Sequence, residues 1–183
     1  WADRKARCIY GDGSTPTGPN GRQSANHLTD SLKAHGIELF RFKTGTPARV
    51  DKRSIDFSKM EEQFGDERVV PFSFSTDPET VQKEQVSCWL TYTNEETHAI
   101  IRANFDRSPL FNGTIESVGP RYCPSIETKI HRFPEKTRHQ LFIEPCGLGT
   151  DELYIQGLSS SLPGDVHRQL LHTIPGPARP EAL

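Results

Sequence analysis

Hydrophobic positions in this chain fall into short, separate patterns. Between Ser24 and His35, Ala25, Leu28 and Leu32 recur at helical spacing and Gly36 supplies a stop, which predicts a helix. "IELFRF" (Ile37–Phe42) then alternates like a half-buried strand. "QVSCWLTY" predicts a second strand. Asn94 is placed to cap the helix after it, with Glu95 and Glu96 in the first turn and Ile100 and Ile101 on the buried side. "QLFIEP" and "ELYIQG" predict two more strands, and "SLPGDVHRQLLHTI" a final helix. "YGDGSTPTGPNG" predicts a loop because Gly and Pro punctuate it throughout. The stretch from "SIDFSKM" to "PFSFS" is only weakly patterned, and "PGPARPEAL" is a tail without pattern. Helices and strands mixed in this way predict an α+β fold.

Composition narrows the partners. The chain has 183 residues, enough to bury a sizeable core, with 33% hydrophobic and 25% charged residues. A net charge of −2 carries no bulk signal for nucleic acid, although a balanced total leaves room for a local cationic face. The apolar runs are only a few residues long, so no membrane-spanning segment is expected. The chain opens at Trp1 without a leader and reads as an internal fragment. Cys8, Cys88, Cys123 and Cys146 lie far apart, in no metal-ligand spacing, so no metal site and a reducing, cytoplasmic setting are expected.

One run combines several features that a working thiol needs: "GPRYCPSIETKIHRF", Gly119 to Phe133. Ile126, Ile130 and Phe133 are spaced i, i+4, i+7 on one helix face, with Ser125 as the N-cap. Pro124 marks the start, since it cannot continue a helix from before it. Cys123 then stands just upstream of a helix N-terminus, beside Arg121 and with Lys129 nearby, an arrangement that favours a thiolate. The competing reading of a lone cysteine is a small, inert apolar residue.

The run resembles the signature of the tRNA uridine 5-carboxymethylaminomethyl modification enzymes, the glucose-inhibited division protein A family. "FKTGTPARVDKRSIDFSKMEEQFGD", "CWLTYTNEETHAIIRANFDRSP", "HQLFIEPCGL" and "SSSLPGDV" resemble other stretches of that family in the same order, from roughly Tyr10 to Leu171. The resemblance implies a fragment of a larger FAD/NAD(P)-binding Rossmann-type enzyme: part of the FAD-domain framework with an inserted β-rich subdomain. Residues 1–23 are then an irregular end, 24–174 the middle part of the enzyme, and 175–183 an unstructured tail. Family members also carry a Gly-rich FAD-binding segment, a further catalytic cysteine, and a helical region that contacts tRNA and a GTPase partner. None of these is expected in this sequence.

The resemblance further implies that Cys123 is the catalytic cysteine of the motif. The family associates the motif with NAD, which implies cofactor contacts from Gly119, Pro120, Arg121, Tyr122, Pro124, Ser125, Ile126, Glu127, Thr128, Lys129, Ile130, His131, Arg132 and Phe133. The helix N-terminus after Pro124 would suit a pyrophosphate. Ala25 aligns with a FAD contact that only backbone can supply. FAD, NADH and methylene-tetrahydrofolate as one-carbon donor are implied, with tRNA, the GTPase partner and a homodimer as associations. Carbon 5 of uracil is a poor nucleophile until something adds at carbon 6; a thiolate can add there, or a thiol can shuttle protons. The family usually has Asp where this chain has Thr128, which implies a weaker helix cap, and Glu where it has Cys146. Arg102, Asn104, Asp106 and Arg107 either face a ligand or form a salt-bridge network at a helix end. A non-catalytic tRNA- or protein-binding fragment and an inactive remnant are the alternatives to an enzyme.

Overall fold

The computed structural model describes residues 5–18, 21–81, 85–119 and 124–177. A five-stranded antiparallel sheet organises it: β3 (Arg49–Asp51), β4 (Glu61–Gln63), β5 (Cys88–Tyr92), β6 (Gln140–Pro145) and β7 (Glu152–Gln156), in the order β3-β7-β6-β5-β4. Side chains alternate across a strand, so one face collects the apolar positions. Leu141 and Ile143 of β6 and Leu153 and Ile155 of β7 are fully buried, with Val50 of β3 beside them. The register places Ile143 opposite Ile155 on one side and Trp89 on the other, so the apolar face runs across three strands.

Three helices contribute the rest of the core: α2 (Glu95–Ala103), α3 (Ile126–Arg132) and α4 (Gly164–Thr173). Ile101, Ile126, Ile130, Val166, Leu170 and Leu171 are buried in one cluster with the strand residues. Each strand and helix of this layer matches a segment predicted from periodicity, except β3 and β4. Those two are only three residues long, too short to show a period of two.

The Asn94 cap forms as predicted and does more than close a helix. Its Oδ1 accepts the Thr97 N–H at 2.9 Å, while the Thr97 hydroxyl reaches back to the Asn94 N–H, completing a capping box. Its Nδ2 donates to the Thr173 carbonyl, which joins the start of α2 to the end of α4. Nearby, the Thr93 hydroxyl accepts the His139 N–H at 2.8 Å and is hydrogen-bonded to His98 Nε2 at 2.8 Å. The two imidazoles stand 5.3 Å apart.

The first fifty residues differ from expectation. "YGDGSTPTGPNG" is not a plain loop: β1 (Cys8–Tyr10) and β2 (Gly13–Thr15) form a tight hairpin turned by Gly11 at φ +51. Gly11 donates to the Ser161 carbonyl at 2.8 Å, so the hairpin is held by a residue far along the chain. The predicted first helix exists as α1 (His27–Ala34), yet none of its residues is buried. "IELFRF" does not become a strand. Only Phe42 makes a bridge, parallel to Val118, and Ile37, Phe40, Phe42 and Val118 all remain exposed. Alternation supplied the pattern, but a strand also needs a partner along its whole length. The tail begins in contact: Thr91 donates to the Pro175 carbonyl at 2.8 Å, and Pro177 bridges Ile55.

Two predictions follow from this packing. Asn94→Ala is expected to lower the unfolding free energy by about 1–2 kcal/mol, with Asn94→Asp falling between, since it keeps the cap and loses the bond to Thr173. Urea titration of the three chains measures this. The second concerns acid. Burial lowers the pKa of His98 and His139; the charge of His139 adds to the shift at His98, and those of Lys129 and Lys136 add to the shift at His139. The unfolded chain therefore takes up protons first, and stability falls as the pH drops below the ordinary histidine value of 6.5. Melting midpoints should decline from pH 7.5 to 5.5 and do so less steeply in His98→Gln; an equal slope in both chains would remove His98 from the account.

Candidate functional site

The motif run is seen from Pro124 onward and at Gly119. Pro120, Arg121, Tyr122 and Cys123 lie outside the described residues. Gly119 follows the Phe42–Val118 bridge, where the Lys43 N–H also donates to the Val118 carbonyl at 3.1 Å. The helix predicted after Pro124 is α3, and Ser125 is its N-cap. Ser125 Oγ accepts the Thr128 N–H at 3.2 Å and lies 3.0 Å from the Thr128 hydroxyl. Thr128 therefore still takes part in the cap, by hydroxyl contact rather than by a carboxylate.

The faces of α3 divide the run into two sets. Ile126, Glu127 and Ile130 point into the core, while Pro124, His131, Arg132 and Phe133 are exposed. His131 rests edge-on against Phe105 and Phe111. Lys129 is half-buried with its Nζ 3.5 Å from the Gly157 carbonyl, and burial lowers its pKa. Ile126, Glu127 and Ile130 present no side-chain surface to a ligand outside α3, whereas Thr128 and Lys129 are partly exposed. Ala25 stands apart from this group, before α1, with its carbonyl accepting the Lys5 N–H at 3.2 Å.

At the α3 N-terminus, two of the first three N–H groups already have protein acceptors. The Ile126 N–H donates to the Ser159 carbonyl at 2.8 Å and the Thr128 N–H to Ser125 Oγ. A phosphate there would have to displace protein acceptors, and α3 is a short helix of seven residues.

Glu127 is the residue whose role sequence inspection missed. It is 0% exposed. Its Oε1 accepts the Ser161 N–H at 3.0 Å and the Ser160 hydroxyl at 2.9 Å, with the Ser108 hydroxyl at 3.5 Å. Among the described residues no group meets its Oε2, and none meets Nε2 of buried His167. Burial lowers the His167 pKa, and the Glu127 charge opposes that shift. One signal was present in the sequence. Glu127 precedes Ile130 by three positions, which places a carboxylate on the apolar side of the helix.

In the "IIRANFDRSP" block, Arg107 takes the salt-bridge role. Arg107 binds Asp165 bidentately at 2.9 and 3.0 Å and also donates to Asn104 Oδ1, linking the end of α2 to the start of α4. Of the other cysteines, Cys8 and Cys146 are exposed and Cys88 is half-buried in β5 rather than fully enclosed. Burial and Glu152 raise the Cys146 thiol pKa, which suits its reading as a position without catalytic meaning. Among the described residues there is no group of His, Cys, Asp and Glu able to hold a metal ion, and no helix is long and apolar enough to cross a membrane.

The arrangement has counterparts. A protein of Lachnoclostridium phytofermentans named tRNA uridine 5-carboxymethylaminomethyl modification enzyme MnmG is 68% identical over 93% of this chain and 27% of its own length. A protein of the same name from Clostridium botulinum (strain Loch Maree / Type A3) is 58% identical over 98% of this chain and 28% of its own length. The form II crystal structure of Aquifex aeolicus GidA superposes with a TM-score of 0.85 at 43% identity, covering all of this chain and 29% of that one. The form I structure gives 0.83 at 48% identity over 96% of this chain and 30% of that one. This chain thus spans little more than a quarter of the length of these curated relatives. The model of one family, glucose inhibited division protein A, matches residues 4–180, and this α+β chain belongs to that family.

Proposed function

We propose that this chain is part of a FAD-dependent enzyme that installs the carboxymethylaminomethyl group at carbon 5 of the wobble uridine in tRNA. The observation that carries the reading is the family match across residues 4–180, which includes the whole run containing Cys123. FAD, NADH and a methylene-tetrahydrofolate carbon supply the redox and one-carbon chemistry in this reading, with a GTPase partner and a homodimeric assembly. The sequence holds no Gly-rich strand–turn–helix of the kind that grips a flavin pyrophosphate. FAD is therefore held mainly by parts of the longer protein, and Ala25 contributes no more than backbone to it.

Within this chain the reaction centres on Cys123. Its thiolate adds to carbon 6 of the uracil ring, and the double-bond electrons move onto the carbon-4 carbonyl oxygen as an enolate. Carbon 5 then acts as the nucleophile toward an electrophilic one-carbon unit. Loss of the carbon-5 proton and expulsion of the thiolate restore the ring. Arg121 favours the thiolate by its charge. Lys129 serves less well, because its ammonium is half-buried against the Gly157 carbonyl.

Three measurements test this. Cys123→Ser in the full-length protein should abolish uridine modification while leaving the fold intact; retention of activity would return Cys123 to the inert reading. Alkylation of the chain at mildly acidic pH, followed by peptide mapping, should rank Cys123 first, Cys8 next, and Cys88 and Cys146 last. Arg121→Gln should reduce the lead of Cys123. The chain by itself should retain little or no FAD through gel filtration, and a stoichiometric, tightly held flavin would overturn the view that other segments bind it.

A further inference from the structure

The core of this fold encloses one carboxylate that the proposed chemistry does not use. Glu127 lies in the first turn of α3 with no exposed surface. A buried carboxylate is costly unless its oxygens are met by donors, and here the donors come from two separate segments. Ser160 and Ser161 belong to the connection between β7 and α4, and Ser108 to the turn that follows α2. The same connection supplies the Ser159 carbonyl that accepts the Ile126 N–H. Its Ser161 carbonyl in turn accepts the N–H of Gly11 from the β1–β2 hairpin. The first turn of α3 is thus fixed by a backbone bond at Ile126 and a side-chain clamp at Glu127, both on residues 159–161.

We infer that Glu127 is a positioning residue, whose buried carboxylate clamps the first turn of α3 to residues 159–161 and so sets where the chain enters the helix at Pro124–Ser125. The inference rests on the proposed role of Cys123, the residue that precedes Pro124 in the sequence. What the clamp requires is an acceptor at Oε1. Glu127→Gln keeps a carbonyl oxygen for the Ser161 N–H and the Ser160 hydroxyl, whereas Glu127→Ala leaves both without their partner. A carboxylate kept only for its charge would fail in both variants alike.

The test uses the 183-residue chain and its variants Glu127→Gln, Glu127→Ala and Ser160→Ala. Iodoacetamide labelling of each cysteine is measured well below the melting temperature of each variant, and the Cys123 rate is divided by that of Cys8. Exchange of the Ile126 and Thr128 amides is followed in parallel. Glu127→Ala should move the labelling ratio toward one by roughly threefold or more, as expected when one thiol loses its tuned setting. It should also speed amide exchange at Ile126 and Thr128. Glu127→Gln should leave both unchanged, and Ser160→Ala should shift both by a smaller amount. A purely structural residue would lower the melting point without changing the ratio, and that result overturns the inference. So does a Gln variant that behaves like Ala. If Glu127→Ala does not fold, the Gln and Ser160→Ala chains decide the matter by the same criteria. A ratio of one in the unmodified chain would count against the poised thiol itself, and exchange at Ile126 would then judge the clamp alone.

Discussion

One apolar sheet face has to be covered, and the rest of the structure is arranged to cover it. Leu141, Ile143, Leu153 and Ile155 alternate inward on two adjacent strands and leave almost no surface to solvent. Burying side chains of this size contributes on the order of 1.5–3 kcal/mol each. No single helix here is long enough to do that. α2, α3 and α4 do it together, and α3 contributes Ile126 and Ile130. A segment that carries the proposed chemistry is thereby built into the core by its own apolar residues. Its helix is placed by packing, and the residues entering it are carried along.

Closing that layer encloses polar groups, and their partners come from distant parts of the chain. Glu127 takes donors from Ser160 and Ser161, His98 shares the Thr93 hydroxyl with the His139 backbone, and Thr91 reaches the Pro175 carbonyl. Each bond contributes modestly, while each lost partner would leave a buried group unsatisfied. These contacts therefore fix which loop sits beside which helix more firmly than apolar packing alone. They also make the fold sensitive to acid, because burial lowers the pKa of His98, His139 and His167 and the unfolded chain then takes up protons more readily.

What could be read from the sequence follows from the same distinction. α2, α3, α4, β5, β6 and β7 each carry a local period, and the Asn94 and Ser125 caps announce themselves by residue type. β3 and β4 carry no period because a three-residue strand is defined by its neighbours. The β1–β2 hairpin was hidden by glycines that suit a loop equally well, and its anchor on Ser161 is far away in sequence. The motif run was legible as a unit, and its internal division only in part. Glu127 and Arg132 are both charged residues of one short helix; the spacing to Ile130 puts Glu127 on the apolar side, and the tertiary fold shows that it is fully enclosed while Arg132 is open.

The opposite case is the segment that has a pattern and lacks a cover. Phe40 and Phe42 are spaced to share one face of a strand, with Ile37 on the other, and Leu28 marks the apolar side of α1, but all four are exposed. Farther on, Phe64, Val70, Phe72 and Phe74 are exposed as well. Among the described residues Phe42 and Val118 make one parallel bridge, with the Lys43 N–H donating to the Val118 carbonyl beside it. Parallel pairing of this kind is stable when both faces of a sheet are covered by other elements. The relatives are more than three times as long as this chain, so residues that match nothing in it are available to them for that purpose. The well-packed layer around α3 and the open edge at Phe42 therefore obey one rule. Apolar periodicity forms stable structure only where a second surface meets it, and the described residues supply that surface for α3 and leave Ile37, Phe40 and Phe42 exposed.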